Sequence, residues 1–201
     1  MSEPFVRRHG LEPLLQELSG ARTADPGVSV TIRGDLGHIN VRGCASDAGF
    51  LQPVEKVLGQ ALPIEPNSVS VERHQVFWLG PDEWLVITPA DRAAHLAGEL
   101  QQATSDSHAS VNDISGGQIA LLLQGAKCRE LLAKGCTLDL HPSVFTVGDC
   151  AQSGLARANV LLASVDDSAT FMIVVRRSFS EYLCRWLAHA GSDVGIAFRD
   201  A

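Results

Sequence analysis

The chain has 201 residues, enough to bury a core as one compact unit. Hydrophobic residues make up 45% of it and charged residues 19%, a balance that excludes an intrinsically disordered chain. With 16 basic against 23 acidic residues, net charge −7, and no Lys/Arg cluster beyond the pairs Arg7-Arg8 and Arg176-Arg177, it has no footprint for nucleic acid or an anionic membrane.

Residues 1–27 read as an N-terminal arm. Leu11, Leu14, Leu15 and Leu18 make one helical face, with Pro13 tolerable only in the first turn, and 20–27 breaks the pattern with Gly at both ends. Such a short helix is marginal by itself. Its leucines, with Phe5 and Val6, must be covered by this chain's own core or by another subunit, and the reach of 20–27 favours the subunit. Segments 28–32 and 38–41 read as strands joined by a Gly-containing turn. A helix follows and ends near Leu58-Gly59, its regular part starting late because of Pro53. Strands are expected at 69–71, 76–79 and 84–87, the last two joined by the turn Gly80-Pro81-Asp82. Thr88-Pro89-Ala90-Asp91 has the order of an N-cap, a first-turn proline and an early acid, opening a helix with Ala93, Leu96, Ala97 and Leu100 on one face.

The polar stretch 103–110 separates this half from a second. There, 119–123 is an unbroken apolar run ending at Gly125, and a short helix follows with Cys128, Leu131 and Leu132 inward and Gly135 at a left-handed C-cap position. A strand pair comes next, then the β-branched run 171–175. Ser178 and Glu181 have capping-box spacing at the head of a last helix, whose apolar face is Phe179, Tyr182, Leu183, Trp186, Leu187 and Ala190.

The two halves share one grammar. Gly43 matches Gly125 and Thr88 matches Ser178; Leu62-Pro63-Ile64-Glu65-Pro66-Asn67 matches Leu138-Asp139-Leu140-His141-Pro142-Ser143. The expected fold is α+β, a pseudo-two-fold duplication of a strand-strand-helix-three strands-helix unit. Residues 28–201 then form a single domain of two repeats, about 28–104 and 111–198.

Chemistry is sparse. There is no dinucleotide or phosphate-loop fingerprint, no nucleophile elbow and no zinc-protease motif. The five cysteines, Cys44, Cys128, Cys136, Cys150 and Cys184, are scattered without metal-site spacing and read as small hydrophobes in a reduced setting. No apolar stretch is long enough to span a membrane, and residues 1–20 lack the core of a signal peptide, so the expected location is cytoplasmic. His141 is either a general base or, more often at such a position, a turn residue. Asp113 and Ser115, before Gly116-Gly117, are either a site or turn-formers that bind the local backbone, the commoner case. Arg176 and Arg177, at a strand end before a helix, are the candidate interface anchors. No catalytic, cofactor-binding or metal-binding residue is assigned.

Together Leu79-Gly80-Pro81-Asp82-Glu83-Trp84-Leu85, Asp113-Ile114-Ser115, the segment 121–132, Asp139-Leu140-His141-Pro142 and Arg177-Ser178-Phe179 resemble the gamma subunit of heterotetrameric sarcosine oxidase, over about residues 36–191. That family is similar in fold to the folate-binding domain of aminomethyltransferases, where the same duplication is described. The resemblance implies a structural, non-catalytic subunit of a complex that oxidatively demethylates sarcosine to glycine. Hydrogen peroxide is formed with 5,10-methylenetetrahydrofolate or formaldehyde. It implies alpha, beta and delta subunits as partners, with FAD, FMN, NAD and tetrahydrofolate on the two larger ones and zinc on a small one. Folate-binding relatives grip the pterin with an Asp-Asp pair after a Gly in a strand hairpin. Here the only Asp-Asp is Asp166-Asp167, without the Gly, and the matching strand offers Arg157 and Asn159 but no acid, so this chain alone is expected to bind neither folate nor flavin. The alternative is a stand-alone folate-dependent one-carbon transferase or folate-binding module.

Overall fold

The computed structural model of the protein describes residues 9–18 and 25–201. Phe5, Val6 and most of the segment 20–27 lie outside them or at their border.

Each half contains the same seven elements in the same order. The first has β1 (Val28–Arg33), β2 (Leu36–Arg42), α2 (Ala48–Leu58), β3 (Val69–Val71), β4 (Gln75–Gly80), β5 (Glu83–Pro89) and α3 (Ala90–Ala103). The second has β6 (Ser110–Asp113), β7 (Gln118–Gln124), α4 (Cys128–Ala133), β8 (Cys150–Leu155), β9 (Ala158–Ser164), β10 (Phe171–Arg176) and α5 (Arg177–Ala190). A helix, α1 (Glu12–Leu18), precedes them and a strand, β11 (Ile196–Asp200), follows. The sequence reading did not include β11, which pairs parallel to β1.

The halves are interlocked. One sheet runs β3-β4-β5-β2-β6 and the other β8-β9-β10-β7-β1-β11. Position by position the two orders are equivalent, except that each half contributes its first strand to the other half's sheet. Thus β6 pairs with β2 and β1 with β7, both antiparallel. The sheets also meet at their outer strands through a bridge between Ser68 and Asp149.

Four layers result. In β7, Ile119, Leu121 and Leu123 face α1, α4 and α5, while Ala120 and Leu122 face the other sheet. In β5, Trp84 and Val86 face α2 and α3, while Leu85 and Ile87 point into the layer between sheets. Strands buried on both faces are why the sequence shows continuous apolar runs rather than alternation.

Gly43 and Gly125 occupy equivalent places just after β2 and β7, for different reasons. A Cβ on Gly43 would lie 2.3 Å from the Phe50 ring. Gly125 has φ +132°, and its Cβ would lie 2.3 Å from the Gly27 carbonyl.

Several local expectations are corrected. Helix α2 starts at Ala48, with Asp47 accepting from the Gly49 N–H, so Pro53 sits inside it. The Gly49 carbonyl that a residue-53 N–H would have bonded accepts instead from the Ser107 hydroxyl at 2.9 Å. Its end is as expected, with Gly59 left-handed at φ 70°. Thr88 is not an N-cap. It is buried in β5, which continues through Pro89, and the first donor of α3, the Ala90 N–H, goes to the Asp35 carbonyl at 2.8 Å. Likewise β10 passes straight into α5, so Ser178 falls at the second helical position and forms no cap. Leu36 pairs with Pro89 and Gln118 with Arg176, so Thr88 corresponds to Val175 rather than to Ser178. The buried face of α5 is Ser180, Leu183, Cys184 and Leu187, with Phe179 and Tyr182 exposed and Trp186 and Ala190 partly buried. Gly135 is not left-handed; a Cβ there would sit 2.5 Å from the Trp186 indole, so close approach is what it provides.

The arm is also corrected. Leu11, Leu14 and Leu15 are 3%, 4% and 8% exposed inside this chain's own core, and Leu18 packs against that core. On the surface, Arg185 of α5 donates to both carboxylate oxygens of Glu17, at 2.7 and 3.0 Å. That face is covered by α5 and the six-stranded sheet, which leaves Leu11, Leu14 and Leu15 almost no apolar area to offer and Leu18 only part of its side chain.

Two expectations follow for the isolated chain. Leu14→Asp with Leu18→Asp lowers its unfolding free energy by about 3 kcal/mol or more in urea titration, since a core leucine is replaced by an unpaired carboxylate. An unchanged midpoint would remove α1 from the core. Ser178→Ala shifts stability by less than about 0.5 kcal/mol, as for an exposed side chain without a capping bond; a loss near 1 kcal/mol would restore the capping box.

Candidate functional site: a cleft between the sheets

The apolar layer between the sheets fills only part of their overlap. Beyond it the sheets enclose an open cleft of about 860 Å³. Its floor is Leu79, Leu85, Ile114, Leu161 and Val174, and its rim is polar, with Asn40, Glu83, Asp113, Gln118, Gln152, Asn159 and Arg176. Strands β2, β5 and β6 supply one wall and β8, β9 and β10 the other, so each half contributes.

Most rim groups already have protein partners. Glu83 accepts from the Asn40 amide and the Arg42 guanidinium, both at 2.8 Å. Gln152 donates to the Leu79 carbonyl at 2.8 Å, tying β8 to β4 across the mouth. Asp113 accepts from the Ser115 backbone N–H at 2.9 Å and also holds the Ser115 hydroxyl. That hydroxyl oxygen accepts from the His38 N–H at 2.9 Å. Asp113 and Ser115 are therefore turn-formers that fasten the loop after β6 onto β2. Arg176, the last residue of β10, stands exposed at the rim.

The other candidates are elsewhere. Arg177 lines a separate small hollow with His9, Arg33 and His38. His141 is exposed, its N–H donating to Asp139 at 2.9 Å and its Nδ1 accepting from the Ser143 N–H at 3.2 Å, which makes it a turn residue. Asp166 accepts from the Ser168 and Thr170 N–H groups in the turn from β9 to β10, and the bonding to Thr170 holds its carboxyl below the usual carboxylate range. The Asp-Asp pair thus lies away from the cleft. Glu83 and Asn40 were missed by the sequence reading. Glu83 sits beside Trp84 in a turn already noted, but only the pairing of β2 with β5 brings Asn40 to it.

The rim offers hydrogen-bond donors, engaged carboxylates and one exposed guanidinium. Among the described residues that line it are one serine, Ser153, and no imidazole or thiol. Such a lining can give hydrogen bonds and one positive charge to a bound group. Among the described residues no cluster of three His, Cys, Asp or Glu is placed to hold a metal ion.

The fold places the chain in a recognisable class. It superposes on the glycine cleavage system aminomethyltransferase T from Bartonella henselae with a TM-score of 0.62, covering 92% of this chain and 50% of that one. At 17% identity that likeness establishes the fold alone. A family model, sarcosine oxidase, gamma subunit family, matches residues 42–193. The chain belongs to that family. Sarcosine oxidase subunit gamma from Corynebacterium sp. (strain P-1) is 35% identical, with 94% of this chain and 91% of that protein covered. Its counterpart from Arthrobacter sp. is 32% identical over the same shares. A chain of the heterotetrameric sarcosine oxidase from Corynebacterium sp. U-96, in complex with pyrrole 2-carboxylate, superposes with a TM-score of 0.85 at 28% identity, covering 94% of this chain and 96% of that one.

The cysteines provide a check on the folded state. Burial pushes the thiols of Cys128, Cys150 and Cys184 up to about 12, whereas Cys44 is exposed and its thiol is lowered, mainly by a hydrogen bond with the Ser46 hydroxyl. A thiol reagent at pH 8 should therefore label one cysteine of the native chain rapidly, and Cys44→Ser should abolish that fast phase. Labelling accelerates with pH as the Cys44 thiolate fraction grows. Fast release from two or more cysteines would contradict the buried positions.

Proposed function

We propose that this chain is the non-catalytic gamma subunit of a heterotetrameric sarcosine oxidase, and that its place is cytoplasmic, beside alpha, beta and delta subunits. The observation that carries the reading is the end-to-end match, at 94% and 96% coverage, to a chain of such a complex. The relatives of matching length are gamma subunits, which favours this role over a stand-alone folate-dependent transferase.

The lining of the cleft supports the non-catalytic part of this reading. A pterin presents amino and ring N–H donors that need a carboxylate acceptor when buried. Glu83 is already engaged by Arg42 and Asn40, and Asp113 by Ser115, while Arg176 would present donors to donors. The rim's two carboxylates are thus already bonded to the protein's own groups, which disfavours tetrahydrofolate as an occupant. Among the described residues no glycine-rich loop opens a helix in the manner of a dinucleotide site, and we assign FAD, FMN and NAD, like zinc, to the other subunits.

A tagged chain recovered from its native source should bring down larger subunits with flavin absorbance and sarcosine-dependent peroxide formation. Titration calorimetry of the isolated chain with tetrahydrofolate should show no saturable heat. Stoichiometric binding at micromolar affinity would overturn the non-catalytic reading and favour the transferase.

A further inference from the structure

Where the outer strands of the two sheets meet, at the bridge between Ser68 and Asp149, three loops come together: 62–68 before β3, 138–149 before β8, and 165–170 between β9 and β10. The backbone joins them. The Cys150 N–H donates to the Asn67 carbonyl at 2.7 Å, the Val69 N–H to the Gly148 carbonyl at 2.9 Å, and the Ser164 N–H to the Asp149 carbonyl at 3.0 Å.

These loops carry Ile64, Val144, Val147 and Val165, which are between 40% and 59% exposed. Lone exposed valines need no explanation, but four exposed large aliphatic side chains on loops that adjoin are a concentration of the kind that marks contact surfaces. The same loops hold five carboxylates, Glu65, Asp139, Asp149, Asp166 and Asp167, and no lysine or arginine.

The loops are held in shape. Asp149 accepts from the Thr146 N–H at 2.6 Å, Asp139 from the His141 N–H, and Asp166 from the Ser168 and Thr170 N–H groups. Arg129 donates to the Leu140 carbonyl from below. Surfaces ordered in advance lose little entropy on binding.

We infer that this patch is a docking surface for another subunit of the complex, one presenting an apolar centre ringed by lysine and arginine. The inference rests on the gamma-subunit reading for the identity of the partner, and on the charge pattern for its chemistry. A second copy of this chain is a poor occupant, because a two-fold contact would set five carboxylates against five.

The test is co-expression of the full chain with the other subunits from its source, measuring its apparent affinity for a tagged larger subunit at about 0.05 M and about 0.5 M salt. The wild-type chain should bind, and more weakly at high salt. Glu65→Lys with Asp167→Lys should weaken binding at least tenfold and remove most of the salt dependence. Val147→Ser with Val165→Ser should weaken it at least tenfold at both salt concentrations. Phe179→Ser, on the exposed side of α5, should change nothing. Melting temperatures of the isolated variants should match wild type. Wild-type affinity in both double variants overturns this docking surface and leaves the gamma-subunit reading standing; failure of the wild-type chain to bind overturns both. A homodimer of the wild-type chain that Val147→Ser with Val165→Ser dissolves overturns the choice of occupant. Loss of binding matched by loss of melting temperature in both double variants overturns it as well.

Discussion

Both faces of both sheets are apolar, and the rest of the architecture answers to that constraint. Leu121 of β7 looks outward to the helices, and its neighbours Ala120 and Leu122 look inward to the opposing sheet. A sheet of this kind cannot rest with one side in water, so each needs a helical layer outside and its twin inside. The helical layers are complete: α2 and α3 on one side, α1, α4 and α5 on the other. The middle layer is complete only where Phe77, Ile87, Ala163 and Met172 meet. Where it runs out, polar side chains take over and the cleft begins.

That order explains how much could be read from the chain alone. The duplicated grammar was legible because continuous apolar runs, breakers and glycines recur in one order, and Gly43 and Gly125 really are equivalent. The caps were misread for a physical reason. Where a strand runs straight into a helix, as β5 into α3 and β10 into α5, the end of the ladder fixes the first turn, and a serine or threonine nearby has no say. Pro53 was misread because the compensating donor, the Ser107 hydroxyl, lies 58 residues away from the carbonyl it serves. β11 is short and ends in Arg199 and Asp200, and its partner β1 lies at the other end of the described chain. The arm was misassigned because nothing local tells a leucine whose core it joins.

The site was legible only in part. Arg176 could be placed at a strand end before a helix, and that is where it stands. Its surroundings come from strands of both halves, so Glu83 beside Asn40 emerges only from sheet register. Asp113, Ser115, His141 and Asp166 are the residues that a search for chemistry singles out first, and each bonds its own turn. Most of the polar residues singled out in this way shape loops.

The exchange of first strands carries a cost in time. β1 is made well before both its partners, β7 and β11. β2 likewise keeps one edge bare until β6 arrives. A half-synthesised chain therefore holds unpaired strand edges and apolar surface that its own sequence cannot yet cover, the condition in which chains meet one another instead of themselves. Distant pairings also fold slowly. Speed of synthesis and temperature then bear on the yield of this protein, and not its final stability alone.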